Sequence, residues 1–162
     1  MTIAVGDTLP EATMLRMGSS GPEGVALSER LKGRKVALFG LPGAYTGTCT
    51  TAHVPSFIRS MDALKAKGVD EVICTAVNDP FVMKAWGEST GATAAGITML
   101  ADASGDFAKA IGMDFTAPPA GFYGRSLRYA MFVEDGVVKV FNPEEGAGVC
   151  ERSAGETLVE AI

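Results

Sequence analysis

Histidine is nearly absent from the 162-residue sequence, and cysteine is sparse: His53 stands alone, with Cys49, Cys74 and Cys150 far apart. No two cysteines have C-x-x-C spacing, so a dithiol redox motif is excluded, and a zinc site would lack clustered ligands. An odd cysteine count in a mid-sized chain also argues against a secreted disulfide framework. No block of like charge exists and the net charge is -5, which leaves no footprint for nucleic acid or for an anionic membrane surface. No apolar run is long enough to span a bilayer. The segment Met1-Thr2-Ile3-Ala4-Val5-Gly6-Asp7 lacks the basic-then-apolar pattern of a secretory signal. The expected location is therefore the cytoplasm, with a removed organellar transit peptide as the open alternative. Hydrophobic residues make up 47% of a chain with no repeat and no linker, so residues 1–162 are expected to form one globular domain.

Periodicity supplies the elements. After an entry region over residues 1–35, with turn chemistry at Gly18-Ser19-Ser20-Gly21-Pro22, the run Lys35-Val36-Ala37-Leu38-Phe39-Gly40-Leu41 reads as a strand buried on both faces. Val54, Phe57, Ile58, Met61 and Leu64 then recur at helical spacing over residues 48–67, and Pro55 predicts a kink or a late true start. Residues 69–77 form a second buried strand. Asn78-Asp79-Pro80 starts a helix through Trp86, with Asn or Asp as cap. Ile97-Thr98-Met99-Leu100 is a third strand, residues 104–111 a short helix, and residues 112–124 are read as irregular. Asp135-Gly136 joins two antiparallel strands in a type I′ turn, which needs positive φ at both central residues. Ser153-Ala154-Gly155-Glu156 reads as a capping box before a final helix. The order predicts an α/β fold of the thioredoxin-like kind, a mixed central sheet with helices on both faces.

The chemistry converges on Cys49. A thiol attacks as its thiolate, which free N–H groups at a helix start and a nearby cation both favour. Cys49 falls in the first turn after Pro42-Gly43-Ala44-Tyr45-Thr46-Gly47-Thr48. Thr46 and Thr48 offer hydroxyls to cap that turn or to bond the sulfur or a substrate, and Pro42 shapes the loop. The competing reading of Cys49 is a small core residue. The local sequence leaves both readings open, although Gly47, Thr48, Thr50 and Thr51 are small and polar, which weakens the second.

The spacing Pro42-x-x-x-Thr46-x-x-Cys49 matches the peroxidatic signature of the peroxiredoxins. The wider run through His53-Val54-Pro55-Ser56-Phe57 resembles their fifth subfamily, which includes the plant type-II enzymes and the atypical two-cysteine mammalian enzyme. Leu64-Lys65-Ala66-Lys67-Gly68, Val77-Asn78-Asp79-Pro80-Phe81-Val82, Trp86-Gly87, Leu100-Ala101-Asp102, Arg128-Tyr129-Ala130 and Asp135-Gly136-Val137-Val138 extend the resemblance over essentially the whole chain. It implies that Cys49 attacks hydrogen peroxide or an alkyl hydroperoxide and becomes a sulfenic acid, with no cofactor or metal. It implies that Thr46 bonds the peroxide and that Arg128 favours the thiolate and contacts substrate. Without the resemblance, Arg128 would be read as an exposed strand charge; Arg125 is a rival for its role, but counting back from the hairpin favours Arg128. His53, four residues after Cys49, suggests a Cys–His dyad; the family does not use it as an essential base, so capping or packing is expected.

Three routes could reset the sulfenic acid. Cys74 matches a second cysteine of plant type-II members but sits in a buried strand. Cys150, in Gly146-Ala147-Gly148-Val149-Cys150, lies near the mammalian resolving cysteine but about two positions early. The third and preferred route is direct attack on Cys49 by glutathione with glutaredoxin, or by thioredoxin. Residues 113–123 rim the pocket, form a homodimer contact, or pack as an ordinary loop. The alternative function is a non-catalytic thioredoxin-fold redox sensor or chaperone-like module.

Overall fold

The computed structural model describes residues 1–146 and 148–162. Nine strands and five α-helices follow one another as β1 (Thr13–Gly18), β2 (Gly21–Ala26), α1 (Leu27–Leu31), β3 (Lys35–Gly40), α2 (Val54–Ala66), β4 (Glu71–Ala76), α3 (Pro80–Thr90), β5 (Thr98–Ala101), α4 (Asp106–Ala110), β6 (Asp114–Ala117), β7 (Phe122–Ser126), β8 (Tyr129–Glu134), β9 (Val137–Pro143) and α5 (Gly155–Ala161) among the described residues. A π-helical turn, Cys49–His53, leads directly into α2.

Seven strands form one sheet in the order β2-β1-β5-β4-β3-β8-β9. The central β3, β4 and β5 are parallel, and the flanking pairs are antiparallel. Alternation along β3 sends Ala37 and Phe39 to one face and Val36 and Leu38 to the other. The first face is covered by α2, α3 and α5, through Phe57, Leu64, Met83, Trp86 and Leu158. The second is covered by α1 and α4, through Leu27, Leu31 and Phe107. This is the expected mixed, two-faced thioredoxin-like layout. Cys49 and Cys74 both lie on the first face.

Several local expectations hold. Asp135 and Gly136 take φ of 48° and 78°, as the type I′ turn requires. Of the two candidate caps for α3, Asp79 accepts from Val82 N–H at 2.8 Å. Pro55 marks a late α-helical start: the preceding turn is π-helical, with Val54 N–H bonded to the Cys49 carbonyl.

Three expectations are corrected. The entry region contains the β1–β2 hairpin, paired from Thr13↔Ala26 to Gly18↔Gly21, followed by α1. The stretch read as irregular contains the antiparallel pair β6–β7, with Phe115 opposite Arg125. Its prolines sit in a 3-10 turn between the strands, where a missing N–H costs no ladder bond. Ser153 does not cap α5: the residue at the cap is Ala154, and the Ser153 hydroxyl donates to Glu144 at 2.7 Å. The Gly155 N–H at the start of α5 is instead satisfied by the Ser56 hydroxyl at 2.9 Å.

Candidate active site

The loop between β3 and the π-turn is braced from two sides. Asn78 Oδ1 accepts from Ala44 N–H at 2.9 Å, and Arg125 Nη1 donates to the Pro42 carbonyl at 3.0 Å. A Cβ at Gly43 would meet the Arg125 guanidinium, so a larger residue there would have to displace the tip of Arg125 from its present position. Tyr45 turns the chain at φ 63°, a left-handed conformation disfavoured by its Cβ, and its ring is exposed. Thr46 and Thr48 cap nothing. The Thr46 hydroxyl donates to the Gly43 carbonyl at 2.7 Å, and that of Thr48 donates to the Gly148 carbonyl at 3.0 Å. From behind, the Trp86 indole N–H donates to Thr50 Oγ1 at 3.1 Å and ties α3 to the π-turn.

Cys49 is fully buried, and Arg128 Nη2 donates to its sulfur at 3.2 Å. Arg128 immediately precedes β8 and is itself buried, so the reading as an exposed strand charge is overturned. A guanidinium carries several donors in one plane. While Nη2 meets Cys49, Nη1 lies 3.0 Å from His53 Nδ1. The rival Arg125 is assigned elsewhere: it holds Pro42 and stands over the Phe122 ring at 5.5 Å. A cleft of about 230 Å³ opens beside Arg128, lined by Pro42, Thr46, Gly47, Thr48, Phe122, Arg128 and Gly148. Of residues 113–123, Phe122 forms part of this wall, with Phe115 packed edge-on against it. A second cleft of similar volume, between Arg16, Lys84 and Met99, shares no lining residue with it.

His53 is buried beside the stacked rings of Phe39 and Phe57, tilted against both. Its Nε2 lies 3.0 Å from the Ser153 carbonyl. A carbonyl only accepts, so Nε2 carries the proton and Nδ1 offers its lone pair to Arg128. Both nitrogens are thus engaged away from Cys49, and the Cys–His dyad is not formed. Burial pushes the imidazole down to about 3, the Arg128 charge adds to this, and the Ser153 carbonyl opposes it. The unfolded chain takes up a proton near pH 6.5, which the folded chain refuses until about pH 3. The associated stability is complete above pH 6.5 and is lost as pH falls toward the folded value. Urea titrations between pH 6 and 4 should show the native chain losing about 1.4 kcal/mol per pH unit more than His53→Gln. Equal slopes would remove His53 from the acid response.

The other two thiols are poorly placed as nucleophiles. Cys74 is fully buried on β4; burial pushes its thiol well up, Cys49 adds to this, and Arg128 opposes it. Cys150 is half-buried, and burial raises its thiol against the opposing Ser153 hydroxyl, 4.0 Å away. Ala147, in the glycine-rich run before Cys150, lies outside the described residues. Among the described residues no cluster could hold a metal, and no helix is long and apolar enough to cross a membrane.

Sequence reasoning missed Asn78 as the loop brace, and Glu144 and Ser153 as the support of His53. The local signals pointed elsewhere, to a helix cap for Asn78 and a capping box for Ser153.

Fold and site define a thioredoxin-like thiol enzyme in which one cysteine sits under a buried arginine. A family model described as Redoxin matches residues 4–158. The chain belongs to the peroxiredoxins and is a thiol peroxidase. It is 46% identical to "Peroxiredoxin-2E-2, chloroplastic" of Oryza sativa subsp. japonica, over 97% of this chain and 72% of that protein. It is 42% identical to "Peroxiredoxin-2B" of Arabidopsis thaliana, over 96% of each. Among solved structures, reduced Prx3 of Vibrio vulnificus in complex with hydrogen peroxide superposes with a TM-score of 0.91 at 45% identity, over 99% of each chain.

Proposed function

We propose that Cys49 is the peroxidatic thiol, acting on hydrogen peroxide and alkyl hydroperoxides. The observation that carries this reading is the 3.2 Å hydrogen bond from Arg128 to its sulfur. The thiolate attacks the terminal oxygen, an S–O bond forms as the O–O bond breaks, and the alkoxide or hydroxide leaves and takes up a proton from water. Sulfur is oxidised to the sulfenic acid by two electrons, and the peroxide is reduced to alcohol or water. Arg128 is a fixed donor for the charge that moves from sulfur to the leaving oxygen. The Thr46 proton is committed to Gly43, so toward the cleft its oxygen accepts. That polarity fits the O–H of a hydroperoxide. Pro42 forms the adjoining wall. Support for hydrogen peroxide comes from the relative crystallised with it.

The donor is an external thiol: glutathione with glutaredoxin, or thioredoxin. It attacks the sulfenic sulfur, a disulfide forms and water leaves, and a second thiol regenerates Cys49. Burial of Cys74 and the raised thiol of Cys150 support this over an internal route. Cys74→Ser and Cys150→Ser, singly and together, should therefore keep at least about half of the turnover with a glutaredoxin–glutathione system. If Cys150→Ser alone lost turnover but kept a single-turnover burst, Cys150 would be the resolving thiol, and the same pattern for Cys74→Ser would assign it there.

A homodimer in the cytoplasm completes the reading, with residues 1–162 as one domain. Exposed aromatic rings of Tyr45, Phe81 and Tyr123 support the dimer. Each lies on a segment bonded to the site loop or neighbouring one that is. Sedimentation at working concentration checks the dimer.

A further inference from the structure

We infer that Glu144 is a positioning residue for the peroxidatic centre, acting through Ser153 and His53 on Arg128; this rests on the role of Cys49 proposed above. Glu144 directly follows β9, and it is bonded at both ends. Its backbone N–H donates to the Arg128 carbonyl at 3.0 Å. Its carboxylate accepts from the Ser153 N–H at 2.8 Å, the Ser153 hydroxyl at 2.7 Å and the Glu151 N–H at 2.7 Å. The Ser153 carbonyl takes the His53 Nε2 proton, and His53 Nδ1 faces Arg128. The bonds therefore close a ring from the Arg128 backbone through Glu144, Ser153 and His53 to the Arg128 guanidinium.

Such a ring sets geometry that no single member could. Arg128 is a long side chain whose guanidinium must be aimed at the sulfur as well as buried. A neutral imidazole fixed in one tautomer accepts from Nη1 and so orients the guanidinium plane, and the tautomer depends on where Ser153 places its carbonyl. Three donors converging on one carboxylate hold that carbonyl in place. Burial alone would raise the Glu144 carboxyl, but the bonds from Ser153 and Glu151 outweigh it and lower it, so the clamp stays charged at neutral pH. Around His53, Arg128 and Cys49 are the ionisable groups on its near side, Phe39 and Phe57 cover the ring from β3 and α2, and Glu144 and Cys150 lie beyond Ser153.

His53 is the sole histidine of the chain, so nitrogen-detected NMR of the imidazole reports this ring alone. The native protein should show one Nε2–H tautomer that does not titrate between pH 7.5 and 5. In Glu144→Ala the imidazole should exchange tautomers and titrate within that range. Single-turnover oxidation of Cys49 by peroxide should slow about tenfold at pH 6 and less at pH 8, where the ring is neutral again. Glu144→Gln keeps an accepting oxygen and should restore much of both signals. Should Glu144→Ala not fold, Ser153→Ala, which deletes one of the three donors, carries the same comparison in weaker form. A slowed reaction with the tautomer unchanged, or an altered tautomer with rates within about twofold of native, would overturn the proposal. Loss of the Cys49 assignment is separately visible, because the imidazole spectra do not depend on which thiol reacts.

Discussion

Cys49→Ser is expected to lose peroxide turnover by at least about 10³-fold, down to the uncatalysed rate. Serine fits the same volume and leaves the Arg128 Nη2 donor with an oxygen to meet in place of sulfur. The hydroxyl is nonetheless far less acidic than a thiol, and its oxygen is a poor two-electron reductant of an O–O bond. The protein should remain folded, with circular dichroism and urea midpoint close to native. Stopped-flow consumption of hydrogen peroxide measures the effect. Full turnover in folded Cys49→Ser would falsify the central assignment and transfer attention to Cys150, the half-buried thiol.

Arg128→Met should lower kcat/KM for hydroperoxides by about 10²- to 10³-fold, or roughly 3–4 kcal/mol of transition-state stabilisation. Methionine retains much of the apolar stem, so packing beside β8 is largely preserved while both donors disappear. Arg128→Lys should fall between the two, because one ammonium cannot reproduce a planar fork that meets Cys49 Sγ and His53 Nδ1 together. The informative control is Arg125→Met. Arg125 bonds a backbone carbonyl and stands over Phe122, so its loss should act on loop order and substrate affinity, raising KM more than it lowers kcat. If Arg125→Met proved the more damaging of the two for single-turnover oxidation of Cys49, the assignment of the charge donor would have to be exchanged.

The contrast between these arginines shows where sequence reading stops. Strand alternation and turn chemistry are local, so β3, β4, the Asp79 cap and the Asp135-Gly136 turn were legible from a few neighbouring residues. The Pro42-to-Cys49 segment was legible because its spacing is itself contiguous. Arg128 and Arg125 are three positions apart and share the same chemistry. Counting back from the Asp135-Gly136 turn favours Arg128, and the pairing of β8 with β3, Gly40 opposite Tyr129, shows why it is the one beside the π-turn. Ser153 shows the opposite failure: its local pattern was strong and its tertiary partner was stronger. Glu144 Oε2 takes both the Ser153 hydroxyl proton and the Ser153 backbone N–H, and the helix start falls one residue later, after Ala154. The β6–β7 pair was hidden by prolines and glycines, which mark turns equally well in hairpins and in loops.

The distribution of the site along the chain also bears on how it comes into being. The sulfur of Cys49 and its guanidinium partner are separated by 79 residues, and His53 and the Ser153 carbonyl by 100. At ribosomal speeds Cys49 would precede Arg128 by roughly 4–16 s. Throughout that interval the nascent segment carries the thiol without its arginine, and the ring through Glu144 and Ser153 cannot close until Ser153 has been made. The supported centre is therefore assembled long after Cys49 itself is made, and a chain truncated before residue 144 would hold every residue of the Pro42-to-Cys49 segment and still have an unsupported centre.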